Sequence, residues 1–119
     1  MMRLTLPWPD GRLNPNAARR IHWRVQRQVA KDARSDAFYL AKASKVSAPA
    51  TGPVPLEITF RAPDKRRRDM DNAIAAMKPQ LDGLADAMRV DDNRFRLSFA
   101  WGEPCKHGRI EIVIGGGAS

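Results

Sequence analysis

Two hydrophobic rhythms stand next to one another in the middle of this chain, and the change between them restricts the fold more than any other feature. Val54, Leu56, Ile58 and Phe60 alternate with Pro55, Glu57, Thr59 and Arg61, the period of two that marks a half-buried strand. Pro55 lacks an amide hydrogen, so it belongs on an edge or at the beginning of that strand. Further on, Met70, Ile74, Met77, Leu81, Leu84 and Met88 recur at alternating spacings of four and three. That is a helix with one apolar stripe, and a methionine-rich stripe of this kind is core. Pro79 lies inside it and deletes the hydrogen bond to the Ala75 carbonyl, so a bend is expected there.

The rest of the chain can be read in the same way. Met2, Leu4 and Leu6 alternate with Arg3 and Thr5, giving a short strand stopped by Pro7 and Pro9. Residues 10–18, rich in Gly, Pro and Asn, read as a loop. From 19 to 45, Ile21, Val25, Val29, Ala33, Ala37 and Leu40 recur every three or four positions, with Arg20, Arg24, Arg27, Lys31 and Arg34 mostly off that stripe. This predicts a basic amphipathic helix. Residues 47–53 are a linker within the domain. Phe95, Leu97, Phe99 and Trp101 predict a third strand, 102–108 a turn, and Ile110, Ile112 and Ile114 a last strand. The order is β-α-β-α-β-β, with the final pair expected as an antiparallel hairpin. The expected architecture is α+β: a single domain, 1–114, with a small mixed sheet covered by two helices and a flexible tail, 115–119.

With 119 residues, one compact domain is the natural size, and 43% hydrophobic residues give it a real core. No apolar run approaches the roughly 20 residues needed to cross a bilayer. Pro7, Pro9 and Asp10 interrupt the first segment before a signal-peptide core can form. Cys105 is alone, which excludes an internal disulfide and a multi-cysteine zinc site. No Gly-rich phosphate loop is present, so no small organic cofactor is expected. The expectation is a soluble cytoplasmic protein that does not meet a membrane.

Lys and Arg number 21 against 13 Asp and Glu, a formal charge of +8, and the basic residues are gathered. They lie along 19–34, in the block Lys65-Arg66-Arg67-Arg68, and at Arg94, Arg96, Lys106 and Arg109. A polyanion is the natural partner for such a surface, although a basic run is also compatible with a merely solvated face. Trp8, between prolines, reads as a packed indole closing the first strand, with a stacking contact for DNA as the alternative, and Trp23 on the basic helix as a contact for DNA or a second subunit. His22 and His107 have no metal-ligand partners at useful spacing, and Cys105 has none of the companions of a cysteine nucleophile.

Acids collect next to these bases. Asp69 and Asp71 follow the basic block at the start of the second helix, and Asp91 and Asp92 follow its end. Asp71, Lys78 and Asp82 project along one face, because 71, 75, 78 and 82 are spaced four, three and four apart. Asp91 and Asp92 return to the end of the sheet holding Asp69 and Asp71 if their strand neighbours the one ending at Arg61. Phosphodiester hydrolysis needs a nucleophilic water and neutralisation of charge on a pentavalent phosphorus. Two or three carboxylates can hold Mg²⁺ for that purpose, with Mn²⁺ as a substitute, leaving positions for water and a phosphate oxygen. A lysine offsets charge on the transferring phosphate, and arginines draw the DNA backbone in. Taken separately, an Asp at a helix start is also an N-cap, Asp91-Asp92 also a turn, and Asp82 and Asp86 solvated helix acids.

The stretches RRRDMDN, KPQLDGL and VDD, with LTLPWP near the start, resemble the RusA family of Holliday-junction resolvases over nearly the whole chain. The resemblance implies a homodimeric, Mg²⁺-dependent endonuclease, bacterial or encoded by a phage or prophage, that cuts symmetrically across four-way junction DNA. It implies catalytic and metal-binding roles for Asp69, Asp71 and Asp92, with Asp91 beside them. It implies a catalytic lysine at Lys78, three residues beyond the family's spacing. Lys65, Arg66, Arg67 and Arg68, with Arg20, Arg24 and Arg27, would hold the DNA. Two readings compete with it: a branched-DNA-binding protein without catalysis, and a small-phosphoester hydrolase, which does not need so broad a basic surface.

Overall fold

The computed structural model describes residues 2–115. Beyond Gly115, the expected tail lies outside the described residues. Met2–Pro7 forms β1, with Leu4 and Leu6 buried and Arg3 and Thr5 exposed. Part of the segment read as a loop is ordered by its own side chains. Asp10 caps a 3-10 turn, Gly11–Leu13, and Asn14 caps a short helix, α1 (Pro15–Ala18), each accepting an N–H two residues on at 2.9 Å.

The long helix α2 runs over Trp23–Ala43, shorter at both ends than 19–45. Its start is set by His22, whose Nδ1 accepts the Arg24 amide at 3.1 Å, so Ile21 falls outside the helix. At the far end Lys45 takes a left-handed conformation, φ 57°. The buried residues are Val29, Ala37 and Ala41, whereas Val25 and Leu40 of the expected stripe are exposed. The helix is turned so that its small residues face the second long helix, α3 (Met70–Met88). There a Cβ on Gly83 would run into the Arg34 carbonyl and come within 3.0 Å of the Ala37 methyl.

Val54–Arg61 forms β2, with Val54, Leu56, Ile58 and Phe60 all buried and Pro55 at its beginning, as its alternation requires. In α3 the residues Met77, Leu81, Leu84 and Met88 are buried, and the helix continues through Pro79. Arg89, at φ 56°, ends it in the left-handed region. Phe95–Trp101 forms β3 and Arg109–Ile114 forms β4.

The sheet order is β1-β4-β2-β3, so the expected β3–β4 hairpin is not formed. β4 is inserted between β1 and β2, antiparallel to both, and β3 pairs parallel with β2 on the edge. The reason lies in burial. Ile110, Ile112 and Ile114 are at most 1% exposed and fill a central strand, while Leu97 and Trp101 of β3 remain 42% and 41% exposed. The 102–108 connection crosses the end of β2, where the amides of Gly102 and Cys105 donate to the Phe60 and Ala62 carbonyls at 2.9 Å. Core residues from the sheet form one cluster with those of α2 and α3.

Candidate active site

The loop from β2 into α3 is organised by one carboxylate. Asp64 accepts the Arg66 amide at 2.9 Å and pairs with the guanidinium groups of Arg68 at 2.9 Å and Arg66 at 3.2 Å. The Arg68 contact, supported by Arg66, holds the Asp64 carboxyl well below the usual carboxylate range. Arg68 also lies over the Trp8 ring, 5.7 Å from its centroid, and is half-buried. It braces the loop, whereas Lys65, Arg66 and Arg67 are exposed. Trp8 itself packs edge-on against Phe60 at 6.0 Å, the packed indole expected from the sequence. Between these parts opens a cleft of about 340 Å³ whose lining includes Trp8, Asn14, Arg67, Arg68, Asp69 and Asn72.

Asp69 precedes the first residue of α3, yet its side chain makes no capping hydrogen bond. A carboxylate in the N-cap position ordinarily accepts an amide of the first turn. Asp69 instead faces the cleft that Arg67 and Arg68 also line. Asp71 is exposed in the first turn. Asp91, by contrast, does act as a cap: its Oδ1 accepts the Asn93 amide at 2.9 Å, opening a 3-10 turn at Asp92–Arg94.

Lys78 gathers two acids. Its ammonium donates to Asp82 at 2.6 Å and to Asp92 at 3.1 Å. The Asp82 bond, more than that to Asp92, raises the Lys78 pKa against the opposing effect of burial, so the amine stays charged at neutral pH. Lys78 in turn lowers the pKa of Asp92. Asp82, which reads in the sequence as a solvated helix acid, is therefore part of this cluster. Its spacing of four from Lys78 was the available signal.

The condition set for Asp91 and Asp92 is only half met. β3 does neighbour β2, but in parallel, so Phe95 stands beside Val54 at the start of β2 while Asp69 follows its end. The two acid pairs therefore lie toward opposite ends of the β2–α3–β3 unit. Along α3 the rise from Asp71 to Asp82 is about 16 Å. Among the described residues no group of three His, Cys, Asp or Glu side chains is placed to hold a metal ion. The donor chemistry still suits Mg²⁺, which takes oxygen ligands and is often held by one or two carboxylates together with substrate phosphate. Asp69 and Asp71 can supply those carboxylates, whereas Asp92 is engaged by Lys78 within the protomer.

The remaining candidates lie on and before α2. Arg20, Arg24 and Arg27 are exposed. Arg34 is not free, since it pairs with Asp86 of α3 at 2.6 Å and ties the two helices together. His22 serves as a helix cap, and Cys105 is a free, half-buried thiol in the 102–108 connection. Among the described residues no helix is long and apolar enough to cross a membrane.

No protein-family profile matches the chain. An uncharacterized protein of Xylella fastidiosa (strain Temecula1 / ATCC 700964) is 39% identical over 120 residues, an alignment covering 98% of this chain and 77% of the relative. The β-α-β-α-β-β chain described here belongs to the same family as that Xylella protein.

Proposed function

We propose that the protein is a Mg²⁺-dependent, structure-specific endodeoxyribonuclease that, as a homodimer, resolves four-way junctions by paired, symmetric phosphodiester hydrolysis. The observation that carries this reading is Asp69: a carboxylate at a helix start with no capping bond, lining one cleft with Arg67 and Arg68. Arginine beside an uncommitted carboxylate draws a phosphate toward a group that would otherwise repel it. Mg²⁺, when bound, makes a water nucleophilic near neutral pH and offsets charge on the phosphoryl group. Asp69 and Asp71 are the residues that would hold it. In the reaction, water oxygen bonds to phosphorus and gives up a proton to solvent, the bond from phosphorus to the leaving sugar oxygen breaks, and the leaving oxygen takes up a proton. Lys78, an ammonium positioned by its bond to Asp82, lies on the helix face that carries Asp71 and offsets negative charge there. Lys65, Arg66 and Arg67 beside the cleft, with Arg20 before α2 and Arg24 and Arg27 on it, hold the DNA arms. Two catalytic centres related by a two-fold axis match the symmetry of the substrate.

The engagement of Asp92 with Lys78 favours a second reading, recognition of branched DNA without cleavage. One experiment separates the two. The protein is incubated with a synthetic four-way junction or a linear duplex, in Mg²⁺ or in EDTA, and the Asp69→Asn and Asp71→Asn variants are run beside it. The nuclease predicts Mg²⁺-dependent nicks confined to the junction, lost by at least a hundred-fold in either variant while junction binding persists. Binding with no nicks by the native protein leaves the second reading in place.

A further inference from the structure

We infer that Trp23, with Arg24, Arg27 and Lys31, forms a platform on which an unpaired DNA base stacks while the three cations hold the flanking phosphates. The inference rests on the DNA-directed reading above and adds to it a class of structure recognised: DNA with bases out of the duplex stack.

Trp23 is the first residue of α2, and its side chain remains 55% exposed, although burying an indole is among the most favourable contributions a side chain can make. It is nonetheless held in place. His22 stacks against it at 5.7 Å, and that imidazole is itself fixed by its bond to the Arg24 amide. The guanidinium groups of Arg24 and Arg27 lie over the ring, 5.3 and 5.6 Å from its centroid, and leave it more than half exposed. An indole braced in this way loses little conformational freedom when a second flat ring is laid on it.

Charge then selects the partner. Trp23, Arg24, Arg27, Gln28 and Lys31 line a shallow cleft of about 440 Å³ with no acid among them. Among the described residues, Arg24, Arg27 and Lys31 have no carboxylate partner, whereas Arg12, Arg34 and Arg61 each rest on one. Positions 24, 27 and 31 are spaced three and four, so the three cations ascend one helical face in steps of about 5 Å. A second copy would bring the same uncompensated charge to this surface. A nucleic acid strand brings phosphates for the cations and a π-face for the indole, the combination by which single strands are held. A base inside a duplex is already stacked on both faces, so Trp23 discriminates in favour of strands opened at a branch, gap or end.

The test uses the full chain in EDTA, so that cleavage plays no part. Binding of a fluorescein-labelled oligothymidylate and of a duplex of equal length is measured by anisotropy for the native protein, Trp23→Ala, Trp23→Leu and Trp23→Phe. Circular dichroism confirms that each variant is folded. The expected result is about ten-fold weaker single-strand binding for the Ala and Leu variants, less than two-fold change on the duplex, and near-native binding for Phe. Equal losses on both probes, or no loss on the single strand, overturn the platform. So does a Trp23-dependent fluorescence shift with phosphatidylserine vesicles that no oligonucleotide produces, which would assign the surface to a lipid headgroup. A native protein that binds neither DNA probe strikes at the DNA reading itself, whereas one that binds both without cutting a junction in Mg²⁺ strikes only at the nuclease.

Discussion

At the scale of single residues, Lys78 acts on the carboxyl of Asp92. Asp92 is held below its ordinary pKa of 3.8 chiefly by the hydrogen bond from Lys78. A carboxyl whose folded pKa is depressed favours the fold above its unfolded pKa and loses that contribution as pH falls through the folded value. Both groups are about half exposed, so the contribution to stability is small. The clean readout is titration. Carboxyl-detected NMR of the native protein should show Asp92 titrating below 3.8, and Lys78→Met should move it back up toward that value. An unchanged Asp92 in the variant would show that the pair does not persist in solution. The Lys78–Asp82 half of this cluster was visible in the sequence as a spacing of four. The Asp92 half was not, because it depends on which way the following strand runs, and no local pattern encodes that.

At the scale of elements, the two long helices meet through small side chains. Gly83 lies against the Arg34 carbonyl and the Ala37 methyl, and Ala41 is fully buried in the same core cluster. Gly83→Ala should gain helix propensity yet destabilise the protein, because the new methyl has no place between the two backbones. A net loss of about 1–3 kcal/mol, read as a lower urea midpoint at unchanged slope, is the expected outcome. The periodicities of β2 and α3 were legible because each element is buried along one continuous stripe. That of α2 misled: Leu40 shares the expected stripe with Ala37, but the close approach at Gly83 admits Ala37 and Ala41 and leaves Leu40 39% exposed. The last two strands misled for another reason. A hairpin is the shortest connection, but the three isoleucines of β4 are at most 1% exposed between β1 and β2, whereas Leu97 and Trp101 of the edge strand β3 are 42% and 41% exposed. The basic loop and the uncapped Asp69 were legible in kind, though only coordinates reveal that Asp91 caps its turn and Asp69 does not.

At the scale of the whole molecule, the parallel register of β2 and β3 keeps Asp92 toward the opposite end from Asp69 and Asp71, the pair proposed to hold Mg²⁺. If the proposed homodimer faces the Asp92 end of one protomer toward the Asp69 end of its partner, Asp92 would complete the site that the partner's Asp69 and Asp71 begin. The expected outcome is then intersubunit complementation. Asp71→Asn and Asp92→Asn proteins, each inactive alone, should recover junction cleavage when denatured and refolded together, since a mixed dimer keeps one intact combination. If the acids act within one protomer, the mixture stays as inactive as its components. The position of β4 has a different consequence, for how the chain is assembled. Among the described residues β4 is the one strand neighbour of β1, and without residues 109–114 the first strand is left with no described strand to join. A nascent polypeptide can therefore collapse its helices and pair β2 with β3 early, but β1 joins the sheet only once residues 109–114 have been made. A version ending before Arg109 should emerge as an unfolded, protease-sensitive product rather than a trimmed native one.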